Sequence, residues 1–148
     1  MDVLRQAAAE ARAADRFSKN PNIDIDVTMK TARDCDVSEK LRGYIHYNSI
    51  TPFKVHIIKE ELFRYYKKER PNLHLDATGS LVRKIDQRDV FCYALVAADR
   101  QGSFPLAVML SISHTTVSIT HFLQHVNAEY KKLTKTDFMP PALITDLS

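Results

Sequence analysis

Two aspartates stand where acids are least expected. Asp76 lies in Leu73-His-Leu-Asp-Ala-Thr-Gly79 and Asp146 in Ala142-Leu-Ile-Thr-Asp-Leu-Ser148, and both runs read as strands. Charged side chains are rarely buried unless they are paired or hold a metal. Two such acids point to one shared cation site. Carboxylates rather than Cys or His imply a hard cation with oxygen ligands, Mg²⁺ or Mn²⁺.

Other residues carry weaker chemical signals. His74 shares a strand face with Asp76 and is read either as its assistant or as a structural histidine. His121 and His125 are spaced i, i+4 on a helix, with His114 before it. That spacing can ligate zinc, but the glutamate of a His-Glu-x-x-His motif is missing, and the structural reading is the simpler one. Arg64, Lys67 and Lys68 form a basic, aromatic-rich cluster with Tyr65 and Tyr66. Arg83 and Lys84 follow the first core strand. Such cations suit phosphate contacts, although a solvated helix face explains the first cluster as well. Glu129 falls late in its helix, at the wrong end to join the aspartates.

Hydrophobic periodicity supplies the elements that must position these groups. Residues 3–17 are Ala-, Arg- and Glu-rich and read as a helix. Residues 23–29 alternate Ile, Val and Met with polar residues, the period of a half-exposed strand or an extended arm. Two short strands are expected over 43–48 and 53–58, then a helix over 60–70 closed by Pro71. Residues 1–70 thus form an accessory region, and 71–148 a core. In the core, strands are expected over 73–84, 90–98 and 104–111. A helix follows, capped by Thr115 or Thr116, with Ile119, Phe122, Leu123, Val126, Tyr130 and Leu133 on one face. A last strand starts at Ala142. The order is β-β-β-α-β in an α/β (α+β) chain. Short loops make the first three strands antiparallel, and the helix lets the fourth return parallel. If the fourth lies beside the first, Asp76 and Asp146 come within reach of one ion, because neighbouring strands are about 4.8 Å apart.

Composition sets the outer bounds. The 148 residues, 45% apolar and 26% charged, suit one soluble globular domain, and a net charge of +3 permits nucleic-acid contact without demanding it. Cys35 and Cys92 fit no metal-ligand spacing and no disulfide framework, which suggests a reducing, intracellular setting. No run resembles a signal peptide or a membrane span.

The run Leu73 to Lys84, the strands 90–98 and 104–111, and the closing Leu143-Ile-Thr-Asp-Leu-Ser148 together resemble the RNase H-like core of DDE-type transposases of the Mutator-like (MULE) kind. The resemblance covers about half the chain. It implies metal-dependent cleavage and joining of DNA in the nucleus, with Asp76 and Asp146 as catalytic metal ligands. Such sites use two metal ions to activate an oxygen nucleophile and stabilise the leaving oxygen. The family's third acid comes after a fifth strand, and the sequence ends before it. The expectation is therefore weak Mg²⁺ or Mn²⁺ binding, little or no cleavage, and self-association through an exposed last strand. Two alternatives stay open. One is a non-catalytic DNA- or protein-binding remnant of the same fold. The other is an actin-like nucleotide phosphotransferase fragment, suggested by Asp76-Ala-Thr-Gly-Ser80.

Overall fold

The structure, a computed structural model, describes residues 20, 23–27, 45–79, 84–100 and 102–145. The chain divides into two compact units, 1–43 and 44–148. In the first, residues 23–27 form a helical turn rather than the expected strand. The Asn20 carbonyl accepts from the backbone N–H groups of Ile23 and Asp24 at 3.1 and 3.3 Å. Asp24 and Asp26 then sit in the first turn, where the helix dipole favours negative charge. A period of two over so few residues does not outweigh that start signal. The expected helix over 3–17 lies outside the described residues.

The second unit is an α+β fold with a six-stranded mixed sheet. In chain order it contains β1 (Ile45–Ile50), β2 (Phe53–Ile58), α1 (Glu60–Glu69), β3 (Asn72–Gly79), β4 (Phe91–Asp99), β5 (Gly102–Ser111), α2 (Thr116–Thr134) and β6 (Leu143–Thr145). The spatial order is β1-β2-β5-β4-β3-β6. All neighbours are antiparallel except β6, which runs parallel to β3. The β1–β2 hairpin thus extends the sheet beyond β5, and α1 packs into the common core. The accessory-to-core boundary expected at residue 70 falls inside this unit.

Both helices lie on one face. Phe63 and Tyr66 of α1 and Phe122, Val126 and Tyr130 of α2 form one buried cluster with Leu73, Leu75, Tyr93, Leu95, Ala97 and Met109 of the strands. Each large apolar side chain so buried contributes about 1.5–3 kcal/mol. Because strand side chains alternate, the partners of these residues, including His74, Asp76, Ala94 and Val96, belong to the opposite face.

Local chemistry fixes the ends. Glu60 and Glu61 open α1 and Lys67 and Lys68 close it, matching the dipole. Arg70 turns left-handed (φ 45°) after the helix, and its N–H returns to the Tyr66 carbonyl at 2.8 Å. At the start of α2 the Thr115 hydroxyl accepts from the Ser118 N–H at 3.3 Å, the expected cap. The first core strand is described from Asn72 to Gly79, residues 80–83 lie outside the described residues, and Lys84 is not in a strand. A tight turn follows at Ile85–Arg88, with Asp86 and Gln87 both at positive φ (49° and 61°).

Candidate functional site

Among the described residues, those singled out from sequence lie on different elements and on both faces of the sheet. Asp76 is exposed on the sheet face away from the helices, opposite Ala94 of β4. Burial, and then the negative charge of Asp76, push the nearby Cys92 thiol up, so Cys92 is no ready nucleophile. His74 shares the Asp76 face and is half-buried. Asp146 and Arg83 lie outside the described residues, as does Ser80 of the possible phosphate turn. Arg64, Lys67 and Lys68 ride on α1, on the other side of the sheet from Asp76. Lys67 donates to the Thr134 carbonyl at the end of α2 (2.9 Å), Lys68 pairs with Glu69 (3.4 Å), and Lys84 pairs with Asp89 (3.4 Å). His114, just before α2, hydrogen-bonds the Tyr93 hydroxyl and stacks on Phe91, while His121 and His125 lie near Tyr47 and His56.

The structure instead gathers titratable groups between the β1–β2 hairpin and the two helices. Helix α2 presents two adjacent stripes. Phe122, Val126 and Tyr130 enter the core, while His121, His125 and Glu129, one position earlier at each turn, run alongside toward β1 and β2. β2 supplies His56, fully buried on the helix face among Tyr47, His121, Phe122 and His125. α1 supplies Glu60, its first residue. β1 supplies His46 through a bulge. Ile45 pairs with Ile57 and Tyr47 with His56, so two steps on β1 match one on β2, and His46 is the extra residue. Consecutive residues therefore both reach α2. His46 approaches Glu129, and the Tyr47 ring lies against His121 (5.1 Å) and His125 (6.0 Å).

The distances define a chain of groups. His46 Nε2 is 3.6 Å from Glu60 Oε1, and its Nδ1 is 3.6 Å from Glu129 Oε2. Glu129 Oε1 accepts from Lys132 Nζ at 2.5 Å and lies 3.6 Å from His125 Nε2. His125 Nδ1 meets His56 Nδ1 at 2.9 Å. In that bond one ring donates and the other accepts. The arrangement that also serves Glu129 has His56 donating, so that His125 turns an Nε2–H toward the carboxylate.

Electrostatics agree with neutral rings at the buried end. Burial, then His125, His121 and Lys54, depress His56 to about 3. Burial likewise lowers His125, although Glu129 pulls against it. Glu129 is pushed up by burial, but the Lys132 hydrogen bond and charge, with His46 and His125, outweigh this and hold it below the usual carboxylate range. One imidazole is thus flanked by two carboxylates, with a neutral histidine pair behind.

The sequence singles out neither His46, His56 nor Glu60, and Glu129 joins them here rather than the aspartates. The readable signal was the i, i+4, i+8 series His121, His125, Glu129. No family model matches the chain, and no curated protein or solved structure shows a significant match to it. Among the described residues, no helix is long and apolar enough to cross a membrane.

Proposed function

We propose that the second unit is an RNase H-like core of transposon-derived kind, built for metal-dependent cleavage and joining of DNA, with Asp76 and Asp146 as its first two metal ligands. The observation that supports this is the place of β6. It runs parallel beside β3 with Leu73, His74 and Leu75 opposite Leu143, Ile144 and Thr145. Asp76 is the next residue of β3, and Asp146 is the next residue of the sequence. The reading requires that pairing to continue by one residue. The connectivity around it, three antiparallel strands, a helix and a parallel return beside the first strand, is the arrangement such a core needs.

In this reading a Mg²⁺ or Mn²⁺ ion held by the two carboxylates supplies charge for an attacking or leaving phosphate oxygen. The role of Asp76 and Asp146 is to hold that ion at the rim of β3 and β6. Cations near the DNA backbone would come from the surface, with Arg64, Lys67, Lys68, Arg83 and Lys84 as candidates. Nuclear residence follows from the same reading.

A second reading, a non-catalytic DNA- or protein-binding form of the fold, is favoured by what surrounds Asp76. Its neighbours across β4 on that face are Cys92, Ala94 and Val96, with no second carboxylate among them. One pair of assays separates the readings. DNA retention that weakens with salt, together with Mg²⁺-dependent nicking of supercoiled plasmid that disappears in Asp76→Asn, supports the catalytic one. Salt-sensitive DNA retention without nicking supports the second. A chain that neither retains nor nicks DNA refutes the transposase-derived reading.

A further inference from the structure

We infer that His46, Glu60 and Glu129 form a binding site for a divalent first-row transition ion of the Zn²⁺ type, separate from Asp76. One nitrogen or oxygen from each of the three lies within 4.8 Å of the others. The three groups come from β1, α1 and α2, so the site exists only in the folded chain.

The spacing has room for an ion and leaves the direct contacts too long for good hydrogen bonds. The two His46–carboxylate separations are both 3.6 Å, beyond the reach of a good N–H···O bond. Ligand atoms about 2.1 Å from a tetrahedral ion are roughly 3.4 Å from one another. The two 3.6 Å separations start from opposite nitrogens of the ring, and one ion takes only one of them; one donor atom from each of the three side chains lies within 4.8 Å of the others, so the three must close by about an ångström onto an ion. They are also withdrawn from solvent, with side-chain exposures of 13% for His46, 24% for Glu60 and 14% for Glu129.

The surroundings are those of a supported metal ligand. Glu129 has its Oε1 engaged by Lys132, with the His125 ring behind it, which leaves Oε2 toward His46. His125 is in turn held by buried His56. Outer partners of this kind orient ligating carboxylates and tune affinity. The bulge at His46 is the backbone irregularity that aims the imidazole inward. The donor set also selects the ion. An imidazole with two carboxylates is unlike the all-oxygen shells of Ca²⁺ and Mg²⁺ and lacks the thiolates of soft-metal sites. Three protein ligands leave a position for water or a small oxyanion, as in catalytic rather than structural zinc sites.

The test uses the full chain stripped of metal with a chelator. Zn²⁺ is titrated by calorimetry, and Co²⁺ by its visible absorption. The expected result is one saturable site, with Co²⁺ bands of low-symmetry four- or five-coordination. His46→Ala and the near-isosteric Glu60→Gln and Glu129→Gln should each weaken binding at least tenfold. His125→Gln, acting through Glu129, should weaken it by about 10–100-fold. Titration in excess Mg²⁺, which fills any all-oxygen site at Asp76, should leave it unchanged, which keeps this result independent of the DNA reading. Circular dichroism of each variant in chelator checks that the fold survives. Absence of Zn²⁺ binding by the wild-type chain, or equal binding by folded Glu60→Gln and Glu129→Gln, overturns the proposal.

Discussion

The buried end of the histidine cluster should make the second unit acid-labile in a defined window. His56 is fully buried and held at about 3, against an ordinary 6.5. As pH falls below 6.5 the unfolded chain takes up a proton that the folded chain refuses. The unfolded state then binds more protons, so stability falls with pH, and the loss continues until the folded value near 3 is reached. At pH 5 the unfolded imidazole is favoured by a factor of roughly 30, which is about 2 kcal/mol. His125, also lowered, adds in the same direction. Glu129 is lowered from 4.5, so its contribution is lost only below that value and does not enter above pH 5. The assay is urea unfolding in chelator at pH 7.5, 6.5, 5.8 and 5.0, for wild type and His56→Gln. Whatever the variant costs at neutral pH, its stability should fall by about 2 kcal/mol less than that of wild type between pH 7.5 and 5. That difference is a sizeable part of a domain's typical total of 5–15 kcal/mol. Parallel pH profiles for the two proteins would refute the reasoning, since His56 would then be no more reluctant to protonate folded than unfolded.

Two further outcomes test other parts of the structure. In a Cys35→Ser background, Asp76→Asn should speed alkylation of Cys92 at pH 8, because removing the nearby charge eases thiolate formation; an unchanged rate would show that Asp76 does not reach Cys92. β6, the last strand of the sheet among the described residues, exposes Leu143 (41%) and Ile144 (47%), and exposed sheet edges recruit other chains. Sedimentation should therefore detect concentration-dependent association that Ile144→Lys reduces, and a wild-type monomer at high concentration would remove the edge from consideration.

The core was legible because its signals are local and repeat. The strands over 90–98 and 104–111 shifted by at most two residues at either end, and the α2 stripe of Phe122, Val126 and Tyr130 is buried as its spacing implies. Pro71 and Thr115 bounded their helices as punctuation should. What failed was the strand assignment over 23–29, whose described part, 23–27, is a helical turn closed on the carbonyl of Asn20. The compact unit that begins at Tyr44 rather than near residue 70 could not be read from the sequence for another reason. Hairpin pairing to β5 depends on register between distant segments, as in His56 opposite Met109, and no local pattern announces it.

The histidine–glutamate cluster shows why a site is harder to read than the fold that holds it. His46 sits in a run whose period of two, taken literally, sends successive side chains to opposite faces. The bulge breaks that period at His46 and brings both it and Tyr47 to α2. Glu60 reads as an ordinary first-turn acid, explained by the dipole of α1 alone. Glu129 reads as a solvent-facing residue paired i, i+3 with Lys132, a pairing it does make through Oε1. Each residue thus has a sufficient local explanation, and only the second oxygen of Glu129, turned toward a ring from another element, is left over. Sequence patterns account for residues one environment at a time. A site made from the unused atoms of locally satisfied residues becomes visible only when the sheet and helices are assembled, and the bulge that makes it possible is the feature a periodicity argument discards as noise.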